Sequence, residues 1–200
     1  MSFRRLLGAL FLNLILCASA YPQSFEAGVH FAGSQWSEFD GTDKGFGGRI
    51  GWLPVPLVAI EADITWYPTD FARATVPFSR QRIEGLFGAT VGPRLSRVRP
   101  FAKAAAGFLD VSPTSGAFAC IAIYPPPLPC LLAGGQTLAA YEIGGGVSID
   151  AQSNVFIRAD VTDRILKYPG PTFRDGLSER ADDGFFGHAL RITVGAGMRF

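Results

Sequence analysis

The chain of 200 residues is poor in the residues that most often carry chemistry, with two histidines and three cysteines. His30 and His188 stand at no zinc-ligand spacing, which argues against the common tetrahedral metal sites. Neither sign of charge is in excess, with 18 Lys and Arg against 17 Asp and Glu, so nothing in the balance invites nucleic acid. Long apolar runs are also lacking. The run from Leu6 to Cys17 falls short of the roughly 20 residues that a helix needs to cross a bilayer, and no later segment reaches that length. A helical membrane protein is therefore not expected. The glycine runs Gly45-Phe-Gly-Gly48 and Gly144-Gly-Gly146 are followed by neither a helix nor a Lys-Ser/Thr pair, so they read as strand packing and not as phosphate loops.

What is present begins with Met1-Ser-Phe-Arg-Arg5, a short basic segment that precedes the apolar run and the small-x-small sequence Ala18-Ser-Ala20. This pattern predicts a secretory signal over residues 1–20, cleaved after Ala20, and one mature domain over 21–200. Leu16, just before Cys17, is not the small residue a lipidation site has there. Cleavage takes the formal charge from +1 to −1, because Arg4 and Arg5 leave with the signal. It also leaves two cysteines, Cys120 and Cys130. An even pair in an exported chain reads as a disulfide. The other readings, free thiols or a metal clip, lack further Cys or His ligands nearby.

The remaining sequence alternates with period two, not with the 3.6 of a helix. Eight such segments can be read: Ser24–Trp36, Phe46–Trp52, Val58–Tyr67, Arg82–Arg94, Pro100–Leu109, Leu138–Ile149, Val155–Arg164 and His188–Phe200. In the third, Val58, Ile60, Ala62, Ile64 and Trp66 oppose Ala59, Glu61, Asp63, Thr65 and Tyr67. In the last, Leu190, Ile192, Val194, Ala196, Met198 and Phe200 oppose Arg191, Thr193, Gly195, Gly197 and Arg199.

A soluble sandwich would turn the charged faces to water. The small residues decide against it. Gly28, Gly47, Gly51, Gly88, Gly92, Gly107, Gly144, Gly146, Gly195 and Gly197 all fall on the charged faces, as a narrow interior shared with long polar side chains requires. Phe25, Trp52, Trp66, Phe108 and Phe200 lie near segment ends on the apolar faces, the pattern of interfacial aromatic girdles. The interior charges would be Glu26, Arg49, Glu61, Asp63, Glu84, Arg94, Lys103, Glu142, Arg158, Asp160, Arg164 and Arg191. They could line an ion path or form a satisfied network plugging the lumen. The second is favoured, because unpaired charge away from water is costly. Arg49 and Glu61 lie symmetrically about Val55, so a regular hairpin would pair them.

Long and short connectors alternate strictly. Short links fall at 53–56, 96–99 and 150–154, and long ones at about 37–45, 67–81, 110–137 and 165–187. Fold class is thus all-β, an eight-stranded antiparallel transmembrane up-and-down β-barrel, with the long loops on one side.

Val91-Gly-Pro-Arg94, Pro100-Phe-Ala-Lys-Ala-Ala-Ala-Gly107, Ile143-Gly-Gly-Gly-Val147, Phe156-Ile-Arg-Ala-Asp160 and the final Phe200 resemble the small outer-membrane β-barrel family of outer membrane proteins A and X. The resemblance implies a monomer in the bacterial outer membrane, in contact with membrane lipid and lipopolysaccharide. It also implies assembly by periplasmic chaperones and the barrel-assembly machinery, with Phe200 as the assembly signal. No cofactor, metal or catalytic residue follows from it. Outer-membrane lipid A deacylases, by comparison, carry His and Ser two residues apart, whereas Ala32 follows His30 and Leu190 follows His188 at that spacing. A non-enzymatic structural or surface-interaction role through the outer loops, with a ligand unknown, is the expectation; a small pore and a lipid A-modifying enzyme are the alternatives.

Overall fold

Alternation of apolar and polar side chains gives each segment one face for each of two environments, and the chain satisfies both by closing on itself. The computed structural model describes residues 24–37, 42–68, 81–113, 135–170, 172–175, 178–181 and 184–200. The expected signal at 1–20 and the Cys120–Cys130 pair lie outside the described residues. The strands are β1 (Ser24–Trp36), β2 (Thr42–Val55), β3 (Val58–Tyr67), β4 (Arg82–Val91), β5 (Val98–Val111), β6 (Gln136–Asp150), β7 (Val155–Tyr168), β8 (Thr172–Asp175), β9 (Ser178–Ala181) and β10 (Phe185–Arg199). Each of β1 to β6 pairs antiparallel with the next. β10 pairs with both β7 and β1 to complete a closed barrel, while β8 and β9 form a separate hairpin.

The closing seam runs from Glu26 opposite Arg199 to Trp36 opposite Ala189. Closure leaves no sheet edge, so every strand of the barrel has a partner on both sides. Val29, Phe31, Ile50, Phe87, Ile143 and Val194 face outward and are exposed, whereas Glu84, Glu142, Arg164 and Arg191 are fully buried inside. That arrangement inverts a water-soluble protein. Its outer face suits hydrocarbon, as in a transmembrane barrel.

Inward glycines make room for the large interior groups. A methyl group on Gly146 would stand 2.7 Å from the Phe101 ring and 2.8 Å from an Asp160 carboxylate oxygen. Glycine there lets β6 approach both.

Several strands run past their sequence-derived limits. β2 starts at Thr42 because Thr42, Asp43 and Lys44 pair with Gln35, Ser34 and Gly33. Polar residues on both faces carry no hydrophobic alternation, so that extension was silent in the sequence. Within the segment expected as one long loop at 165–187, β7 continues to Tyr168, β10 starts at Phe185 and the β8–β9 hairpin lies between. Leu166 and Tyr168 are buried while Lys167 is exposed, continuing the strand pattern.

At the opposite end, the connections are short. Arg94 was expected on the lumen face but stands outside it: β4 ends at Val91, and Arg94 lies on the turn, 46% exposed, bonded to Asp150 at 2.5 Å. Proline at 93 has no N–H to continue the ladder. The turn closes with Leu95 paired to Val98 and with Ser96 at φ 57°, the left-handed region a tight two-residue turn demands.

Candidate functional site

The barrel interior is the largest concentration of charge among the described residues, and alternation along the strands puts it there. Near the short-turn end, Arg199 on β10 donates from Nε to Glu26 on β1 at 2.8 Å and from Nη1 to Asp150 on β6 at 3.1 Å. Its guanidinium lies 5.7 Å from the Phe156 ring centre.

Further in, Arg158 on β7 donates to both carboxylate oxygens of Glu61 on β3, at 2.6 and 2.9 Å, and from Nε to Asp160 at 2.7 Å. Arg49 on β2 reaches Asp160 at 3.2 Å, and Thr90 donates to Glu61 at 3.2 Å. Phe101 lies under the Arg158 guanidinium at 4.1 Å. The expected Arg49–Glu61 pair does not form. The turn lies between Val55 and Val58 instead of at Val55, and an irregularity between Trp52 and Val55 takes back one residue, so that Arg49 stands opposite Asp63 and Glu61 opposite Gly51. A shift of two residues keeps both side chains inward but gives each another partner.

At mid-barrel, Lys103 on β5 sits between Asp63 at 3.1 Å and Glu142 at 3.3 Å. Arg191 on β10 bonds Glu142 at 2.8 Å and Asp63 at 3.3 Å, and lies 3.4 Å from Glu84 on β4. Thr65 accepts from Arg191 and bonds His30 Nε2, each at 2.8 Å. Above them Arg164 pairs with Glu84 at 2.5 Å and lies 4.7 Å from the Trp36 ring centre. Arg82 bonds Asp43 at 2.7 Å. The long-connector end is then filled by an apolar cluster of Trp36, Leu86, Leu109, Val111, Leu138, Ala140, Leu166 and Tyr168.

Interior cations and carboxylates balance one for one: Arg49, Arg82, Arg99, Lys103, Arg158, Arg164, Arg191 and Arg199 against Glu26, Asp43, Glu61, Asp63, Glu84, Glu142, Asp150 and Asp160. Arg82, Arg99, Arg199, Asp43 and Asp150 were not among the residues singled out from the sequence. Arg82 and Arg199 shared parity with inward neighbours and could have been included. Arg99, Asp43 and Asp150 fell in stretches read as links. The order of strands around the barrel puts β3 opposite β7 and β4 opposite β10. The Arg158–Glu61 and Arg191–Glu84 contacts therefore cross the full width of the lumen. A pocket of about 10 Å³ beside Gly28, Arg49, Phe156 and Arg158 is at the lower limit for a single water. Among the described residues, no group of three or more His, Cys, Asp or Glu is placed to hold a metal ion.

Phe200, 71% exposed, exchanges backbone hydrogen bonds with Phe25 at 2.8 and 3.1 Å and so fastens the end of the seam.

No protein-family model and no curated protein sequence matches the chain. Solved structures do share its architecture. The N-terminal β-barrel domain of Pseudomonas aeruginosa OprF is 14% identical over 88% of this chain and 97% of that one, with a TM-score of 0.53. Neisserial surface protein A is 16% identical over 89% of this chain and 97% of that one, with a TM-score of 0.56. The likeness is one of fold: this chain is an eight-stranded β-barrel of the outer-membrane type.

Proposed function

We propose that the protein is an integral barrel of the bacterial outer membrane whose role is exerted from its surface, as a structural element or an interaction platform, and not through its lumen. The observation that carries this reading is the pair of full-width contacts, Arg158–Glu61 and Arg191–Glu84, stacked beneath an apolar cluster. Charges removed from water are stable only while paired, so a network this balanced favours a closed lumen over a permeation path. With the apolar outer face in contact with lipid and lipopolysaccharide, the parts free to meet anything else are the connectors. Loops placed on a rigid scaffold are where binding residues concentrate. One of the neighbours in fold is a surface protein by its description, which supports the same reading. Delivery by periplasmic chaperones and the barrel-assembly machinery, and a monomeric state, belong to this proposal.

Fractionation of expressing cells tests it. The protein should sediment with outer membranes and migrate faster on a gel unheated than boiled. Planar-bilayer recordings of the purified barrel should show no steady ohmic conductance. Recovery in the soluble periplasm would end the membrane reading, and a robust open channel would replace the surface role with transport.

A further inference from the structure

Charge is unevenly spread along the barrel axis. At the level of Arg158 it balances, with Arg49 and Arg158 bonded to Glu61 and Asp160. At the short-turn end it does not. Among the described side chains there, the guanidiniums of Arg94, Arg97, Arg99 and Arg199 meet only the carboxylates of Glu26 and Asp150. Both carboxylates are engaged, Glu26 by Arg199, and Asp150 by Arg199 at 3.1 Å and Arg94 at 2.5 Å. Arg94 and Arg97 stand outside the one-for-one balance of the interior and leave this end with two surplus cations.

Arg99 is buried there without an acceptor. It is 6% exposed, stands opposite Ser148 on β6, and neither its Nε nor its Nη2 has a hydrogen-bond partner. Arg49, Arg82, Arg164 and Arg191 also leave a nitrogen unbonded, but each of them holds a carboxylate. A buried cation with no acceptor is costly, and a bound anion would relieve that cost. Two residues before it, about 7 Å of strand, Arg97 is exposed on the turn. The Arg97 carbonyl accepts from the Asp150 N–H at 2.7 Å, which ties the β4–β5 turn to the end of β6. Between this turn and the β6–β7 turn lies a cleft of about 410 Å³, lined by Arg94, Ser96, Arg97, Asp150, Gln152 and Ser153.

We propose that this end of the barrel binds a phosphate dianion, free or as a small monoester, from the periplasm, the compartment that short turns face in an outer-membrane barrel. The charge selects the class. Two surplus cations match the nearly two negative charges of a phosphate monoester at neutral pH and exceed the single charge of a carboxylate or a phosphodiester. Guanidinium forks pair with phosphate oxygens in bidentate fashion, and Ser96, Gln152 and Ser153 bring neutral donors to the cleft walls. The cleft volume is that of a small-ligand site, with room for an organic group beside the phosphate. Binding here involves no passage, because the Arg158–Glu61 contact crosses the lumen further in. The site goes beyond the surface role proposed above and rests on it only for the compartment that supplies the ligand.

The test titrates the full-length barrel, refolded in uncharged detergent micelles, with inorganic phosphate, glycerol 3-phosphate and dimethyl phosphate in a calorimeter. Glycerol 3-phosphate or inorganic phosphate should bind once per barrel. Dimethyl phosphate, a phosphodiester like a lipid headgroup, should bind at least about tenfold more weakly. Arg97→Gln and Arg99→Gln should each weaken phosphate binding about tenfold or more, the loss expected for one charge-assisted hydrogen bond. Lys44→Gln, an exposed cation at the other end of the barrel, should leave it unchanged. The heat-dependent gel shift reports folding of every variant separately, and Arg97, on an exposed turn, tests the site even where Arg99→Gln fails to fold. Tighter binding of glycerol 3-phosphate than of inorganic phosphate identifies an organic monoester as the ligand, and equal binding identifies phosphate itself. A folded wild type that binds neither overturns the proposal, as does binding undiminished in Arg97→Gln or dimethyl phosphate bound as tightly as the dianions.

Discussion

Arg158 and Glu61 join opposite walls of the barrel: the guanidinium on β7 bonds both oxygens of a carboxylate on β3, four strands away in either direction. Both side chains are almost fully buried. Such a pair ties the cross-section together, and its partners are costly to separate because each would leave the other uncompensated.

Glu61→Ala and Arg158→Ala should therefore each destabilise the barrel by about 3–5 kcal/mol, while the double variant should lose much less than the sum. Equilibrium unfolding in urea from lipid vesicles measures this. The same cycle between Glu61 and Arg49 should give a far smaller coupling, because Arg49 bonds Asp160. Strong coupling of Glu61 to Arg49 in place of Arg158 would reverse the assignment.

Opening the lumen should need more than one change. Arg158→Ser alone leaves the mid-barrel contacts of Arg191 and Lys103, and the apolar cluster above them, in place. Single-channel recordings should thus stay near baseline for Arg158→Ser. They should show added open events when Arg191→Ser and Leu109→Ser are combined with it. A conducting wild type, or a silent triple variant that is folded, would contradict this account of the barrier.

The outer face should tolerate charge poorly. Phe87 lies in the middle of β4 and is 64% exposed. Phe87→Arg should cost about 2–4 kcal/mol in a bilayer, the penalty for a cation on a lipid-facing strand at mid-depth. Folding titrations in vesicles read the difference. No loss of stability in vesicles would argue that this face does not meet hydrocarbon.

Removal of Phe200 should weaken the seam at the end where its backbone exchanges two hydrogen bonds with Phe25. If the residue is also the assembly signal that the sequence suggests, cells should accumulate unassembled protein in the periplasm, whereas refolding in vitro should be only modestly slowed. Equal impairment in both settings would assign Phe200 a purely structural part.

Much of this protein could be read directly from residue order. Each of the eight segments named from alternation contains the core of one barrel strand, because side-chain direction along a strand depends only on parity. Parity likewise identified Glu61, Asp63, Glu84, Lys103, Glu142, Arg158, Asp160, Arg164 and Arg191 as interior groups, and the structure buries them. Where the signal is local and hydrophobic, the sequence carries it. It carried nothing at Thr42–Lys44 or in the β8–β9 hairpin, where polarity does not alternate.

Partnership was decided at a different level. Which cation meets which carboxylate depends on the irregularity after Trp52 and on the order in which strands close the ring, and neither is a property of any one segment. Arg158 and Glu61 are 97 residues apart, and His188 on β10 meets Asp163 on β7 and Ser37 just beyond β1 only after β10 docks between those two strands. The sequence by itself determined the strands, their two faces and the charge within. Closure alone determined the contacts across the lumen and on the outer seam, because a ring brings together residues whose separation along the chain says nothing about their separation in space.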